Sequence, residues 1–144
     1  MIAPIYCYVI KCNGNASALD AFWSDVLIGH NGQSFIRVGE GTEKVEMEVE
    51  RLDANKVSFG TEARISEKMF LSLSVQYPHV LITMVEDEME AGVRGYQVFL
   101  GGKEYAGDCD FYWNWLDNDE LGYFNQKLAD KISREYGSLL LKTA

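Results

Sequence analysis

A cysteine thiol needs a base within reach to act as a nucleophile, and this chain offers Cys7, Cys12 and Cys109 with His30 and His79. His30 follows a helix-stopping Gly29, and His79 follows Pro78 at the start of a strand, so neither is placed as a poised base. The cysteines form no C-x-x-C pair. Cys7 and Cys12, five positions apart on one strand, face opposite ways roughly 16 Å apart and cannot bridge within it. Unpaired thiols fit a reducing, cytoplasmic compartment. "DNDELG", from Asp117, imitates the first half of a calcium loop. Leu121 and Leu128 occupy positions five and twelve, where oxygen ligands belong, so the motif fails and Asp117 is read as a helix cap. "GEGTEK" and "GGKEYAG" lack the spacing of a phosphate-binding loop and read as hairpin turns. No cofactor or metal is expected, and no catalytic residue is assigned.

Carboxylates are the remaining resource. Net charge is −9, which argues against direct contact with nucleic acid, whose phosphates demand Lys and Arg. Residues 86–120 hold ten acids against Arg94 and Lys103, a net −8, whereas the other 109 positions are nearly balanced. Such a regional field steers a basic partner. Glu86, Asp87, Glu88 and Glu90 fall in "EDEMEAG", read as a charged, exposed loop. In "KVEMEVE" strict alternation puts Glu46, Glu48 and Glu50 on one strand face, one charge every ~6.6 Å. That is the coarse geometry of a phosphate row, whose rise is ~3.4 Å per strand. Tyr112, beside Asp108 and Asp110, completes the expected partner-binding set.

These residues must be positioned by a mixed set of elements. "PIYCYVIKC" alternates as a first strand ending at Asn13-Gly14. Ser17 with Asp20 resembles a capping box, opening a helix of Leu19, Phe22, Val26 and Leu27 that Gly29 stops. Residues 33–38 and 44–51 read as strands about a Gly-rich turn, and "KVSF" as another after Asp53. Ser66 opens a second helix with Met69, Phe70, Leu73 and Tyr77 inward, ended by Pro78. "HVLITMV" reads as a strand buried on both faces, and "VRGYQVFLGGKEYAGD" as a hairpin about Gly101-Gly102. In "CDFYWNWL" alternation predicts a further strand with Phe111, Trp113 and Trp115 in the core. The last helix carries Leu121, Phe124, Leu128 and Ile132, with Gly137 beyond its end.

A 144-residue chain without linker or repeat fits one domain over residues 1–144 and buries a sizeable core. No apolar run approaches the ~20 residues of a membrane span, and the start lacks a signal-peptide pattern. The element order predicts an α+β fold, an antiparallel or mixed sheet with three helices.

Residues 59–105 carry Phe59 and Thr61 after a strand, Leu73-Ser74 late in a helix, then Pro78. An acid at Glu86 or Glu88 follows, with Gly92, Gly95, Phe99 and Gly102 before a hairpin return. This pattern resembles the YubB ferredoxin-like domain family of plasmid and phage proteins. Departures are the Tyr6-Cys7 strand without Trp and the turn "EARIS" where the family tends to a Trp-Pro-rich turn. The resemblance implies a ferredoxin-like fold and an origin on plasmids or phages, and carries over no catalytic residues. Together with the charge it leads to the expectation of a non-enzymatic acidic inhibitor acting in the host cytoplasm. Its partner would be the basic groove of a nucleic-acid-binding defence complex, of anti-CRISPR or anti-restriction type, which it blocks as a nucleic-acid mimic. Such a protein needs no membrane and works as monomer or homodimer. The rivals are a ferredoxin-like ligand-binding or oligomerisation module, and a small carboxylate hydrolase.

Overall fold

The run "YCYVIKC" is largely apolar and forms the central strand, β1 (Tyr6–Asn13), with Tyr8 and Ile10 buried on one face and Val9 on the other. The structure, a computed structural model, describes residues 5–38, 45–111 and 124–142. After β1 come α1 (Ala16–Val26), β2 (Leu27–His30), β3 (Gln33–Val38), β4 (Val45–Glu48), β5 (Glu50–Asp53) and β6 (Lys56–Thr61). Then follow α2 (Glu67–Gln76), β7 (Leu81–Glu88), β8 (Val93–Leu100), β9 (Lys103–Phe111), α3 (Phe124–Tyr136) and the single turn α4 (Leu139–Lys142).

Every strand pairing among the described residues is antiparallel. Six strands run in the order β5-β6-β1-β7-β8-β9, and β2-β3-β4 form a second, smaller sheet. The large sheet is covered on both sides. On one, Tyr8, Ile10, Phe59, Ile82, Met84 and Phe99 pack with Phe22 and Trp23 of α1, Phe70 and Leu73 of α2, and Ile36 and Met47 of the small sheet. Tyr8 stacks on Phe59 at 5.1 Å between ring centres. On the other, Val9, Leu81, Val85 and Val98 meet Leu128, Ala129 and Ile132 of α3. Burial on both faces is why Leu81–Val85 is continuously apolar but for Thr83. The fold is therefore α+β, as expected, with the sheet wholly antiparallel.

Several local expectations are corrected. Asn15, not Ser17, caps α1, its Oδ1 accepting the Ala18 N–H at 2.8 Å; Ser17 sits inside the helix. Gly29 does not stop that helix, which gives way at Leu27 to extended backbone and β2. Residues 44–51 are not one strand. The ladder to β3 runs on through Val49, whose N–H donates to Ser34 O at 2.9 Å, and beyond it the chain passes to the large sheet as β5. No separate strand begins at Cys109, because β9 runs unbroken to Phe111, which is 44% exposed rather than core. Trp113, Trp115, Asp117 and Leu121 lie outside the described residues. Ser66 does cap α2, its Oγ accepting the Lys68 N–H, and the helix ends before Pro78. Leu128 and Ile132 do face the core.

Candidate protein-interaction surface

The strongest correction concerns residues 86–90. Strand β7 continues through Glu88, leaving only a short turn before β8. Asp87, expected on an exposed loop, is 7% exposed and lies opposite Arg94 on β8, itself 3% exposed. Arg94 grips it as a fork: Nε donates to Oδ1, and Nη2 to Oδ2 at 2.9 Å. Burying a carboxylate among apolar neighbours is costly unless it is paired and hydrogen-bonded, and Arg94 supplies both. Asp87 therefore leaves the partner-binding set. Glu86 points to the other face, where both of its oxygens accept the Nε–H of Arg64 at 3.0 and 3.1 Å. Burial, and next the Glu86 carboxylate, push the Tyr8 phenol above its usual range, so Tyr8 stays a neutral acceptor for the Ile65 N–H.

The other expected residues scatter. Glu46 and Glu48 are exposed on β4 and Glu50 on β5, so alternation holds but the three do not share one strand. Glu46 is also engaged by Arg37, its partner across β3 and β4. Glu88 is half-buried and Glu90 exposed, close to the far ends of β8 and β9. Asp108 and Asp110 are exposed on β9; Tyr112 lies outside the described residues.

What the fold brings together is the outer part of the large sheet. Gly101 (φ 60°) and Gly102 (φ 81°) turn β8 into β9, both in the left-handed region that a two-residue hairpin demands. The turn is fastened to α2, since the Gly102 N–H donates to Ser74 Oγ at 2.9 Å and Ser74 Oγ donates to Leu71 O. From that anchor β9 runs along the sheet edge with all of its residues exposed except Ala106. Its carboxylates are Glu104, Asp108 and Asp110. In register Asp110 faces Arg94 and Asp108 faces Tyr96 on the α3 side of the sheet. Burial, then Tyr136 and Asp108, raise the Tyr96 phenol.

On the opposite side, Gly95 and Gly107 leave a groove of about 360 Å³ bordered by Arg64, Glu86, Gln97, Glu104 and Cys109. Gln97 Nε2 donates to Glu67 at 2.7 Å and to Glu104 at 3.0 Å, while its buried Oε1 has no partner. Glu86 and Glu104 border one groove, yet each is already held, by Arg64 and by Gln97.

Cys7 and Cys12 do face opposite sides of the sheet, and all three cysteines are free thiols. Burial pushes the Cys12 thiol up, and burial with Asp87 raises Cys7, which disfavours the thiolate a nucleophile needs. His79 is exposed just before β7. Among the described residues no group of three or more His, Cys, Asp or Glu is placed to hold a metal ion, and no helix is long and apolar enough to cross a membrane. Sequence reasoning missed Glu104, Gln97 and Arg64. Glu104 was signalled by its place in the acidic segment, but Arg64 and Gln97 reach the groove only through the packing of α2 beside β8.

Comparison with known proteins finds no family model, no curated protein and no solved structure that matches this chain.

Proposed function

We propose that this protein is a non-enzymatic acidic inhibitor that occupies the basic surface of a nucleic-acid-binding complex in a phage or plasmid host, of CRISPR-effector or restriction type. The observation that carries the reading is β9, a nine-residue edge strand with exposed Glu104, Asp108 and Asp110 inside a segment of net charge −8. Glu88 and Glu90 extend the acidity past its far end, and Glu48 and Glu50 add a separate patch. Carboxylates there stand in for phosphates and draw in a basic partner.

The plasmid or phage origin rests on the resemblance to the YubB ferredoxin-like domain. Strand order lends support to that fold: β1, α1, β5, β6, α2 and β7 form a β-α-β-β-α-β series in which β7-β1-β6-β5 are neighbours. The series is interrupted by the small sheet and extended by the β8–β9 hairpin. The groove beside Gln97, with one buried oxygen lacking a partner, favours a second reading as a ligand-binding module.

The test is retention of host nucleic-acid-binding complexes on the immobilised protein, challenged with duplex DNA and with salt. The mimic releases its partner to DNA and loses it as ionic strength rises. Retention unchanged by DNA and by several hundred millimolar salt overturns the reading and leaves the ligand-binding module.

A further inference from the structure

We infer that the outer edge of β9 is a charge-gated docking edge, closed to neutral and acidic strands and open to an extended basic segment of a partner protein. The inference rests on the acidic-inhibitor reading and specifies how and where the partner engages. β9 ends the strand order, and no other strand of the described residues pairs with its outer side. An edge strand of this length is a template for strand addition unless something blocks it. Here the block is local. The Cys109 N–H donates to Oδ1 of Asp108 at 2.9 Å, and two residues on the Phe111 N–H donates to Oδ1 of Asp110 at 2.8 Å. A spacing of two matches the alternation of outward amides along an antiparallel edge. A carboxylate that covers the next residue's amide competes with any incoming carbonyl, as short polar side chains do wherever they bond nearby backbone.

The same carboxylate selects what can displace it. A neutral strand arriving at Cys109 must push Asp108 aside and leave its charge at a dry interface, which is costly. A strand with Lys or Arg facing Asp108 gives that charge a cross-strand partner and frees the Cys109 N–H for pairing. A second copy is disfavoured on the same ground. Antiparallel β9–β9 registers centred on Asp108 or Cys109 set Asp108 against itself or against Asp110, all on the α3 side. Like charges directly opposite are destabilising. The partner that fits is an extended segment with basic residues at every second position.

Three nine-residue probes test this: Lys alternating with Val, Lys alternating with Pro, and Ser alternating with Val. The Lys–Pro peptide keeps the charge and loses the amides needed for pairing. Binding is followed by anisotropy, and the Cys109 amide by hydrogen exchange in the intact labelled protein. The expected result is salt-sensitive binding of both lysine peptides and little of Ser–Val, with Cys109 exchange slowed at least about tenfold by Lys–Val alone. Asp108→Ala is expected to admit Ser–Val as well. Both lysine peptides binding without protection of Cys109 overturns the docking edge and leaves the acidic reading standing. A Cys109 amide already protected in the unbound protein and unchanged by Lys–Val overturns it too. If neither lysine peptide binds even at low salt, the edge and the acidic reading fall together.

Discussion

Arg94 and Asp87 lie opposite one another on β8 and β7, a buried guanidinium and carboxylate joined by two hydrogen bonds. Their pairing settles which acids of the segment build the protein and which face outward. Removing one partner leaves the other charge buried and uncompensated, so Arg94→Ala is expected to destabilise by about 3–5 kcal/mol. Replacing the two together, as Asp87→Leu with Arg94→Met, should recover much of that loss. Urea unfolding of the three variants checks this, and equal losses in the single and double variants would refute the pair.

The hairpin anchor predicts a second effect. A Cβ at Gly102 would meet Val75 Cγ2 at 2.7 Å with φ at +81°, so Gly102→Ala is both strained and crowded. Stability should drop by roughly 1–2 kcal/mol, more than the usual surface substitution. Ser74→Ala should share part of that effect, because it leaves the Gly102 N–H without its acceptor. Thermal unfolding distinguishes both from wild type.

Two phenylalanines on neighbouring strands should behave oppositely. Phe99 is fully buried and lies against Phe70, with ring centres 6.3 Å apart. Phe99→Ala should cost about 3–5 kcal/mol. Phe111→Ala, at an exposed position, should stay within about 1 kcal/mol of wild type. Denaturant midpoints read both, and a large loss at Phe111 would restore it to the core.

A pH effect follows from the clamp between α3 and the sheet. Lys56 bridges Asp130 of α3 at 3.1 Å and Asp53 at 3.6 Å, and Lys11 reaches both acids. Although burial pushes the Asp53 carboxyl up, the Asn55 N–H and the Lys11 and Lys56 ammonium groups outweigh it and hold Asp53 below its usual value of 3.8. A depressed folded value stabilises above the unfolded pKa and is lost as pH falls through the folded one. The contribution is therefore intact at neutral pH and declines below about pH 4. In Asp53→Asn that part of the acid dependence should be missing, as equilibrium unfolding between pH 2 and 6 will show.

The sequence carried the periodic elements and hid the pairings. Strict alternation in "KVEMEVE" located buried Met47 between exposed Glu46 and Glu48, because strand geometry alone decides it. The same pattern could not show that the run divides beyond Val49, since β4 pairs with β3 and β5 with β6 in different sheets. Asp87 looked like its acidic neighbours until β8 placed Arg94 across from it, a register no local pattern encodes. Asp108 and Asp110 were legible as exposed acids, but their grip on the following amides depends on β9 being an edge.

The central claim is that exposed acids of the β7–β9 region recruit a basic partner. Its most direct measurement is the association rate of the retained complex with wild type and with Glu88, Glu90, Glu104 and Asp108 all changed to Lys. Asp87 and Glu86 are left in place to keep the fold, which circular dichroism verifies. Steering accounts for factors of about 10–10³ in on-rate, so the reversed variant should associate slower by at least about tenfold at low salt. That gap should narrow as salt screens the field. A folded variant that associates at the wild-type rate across the salt series would contradict the account.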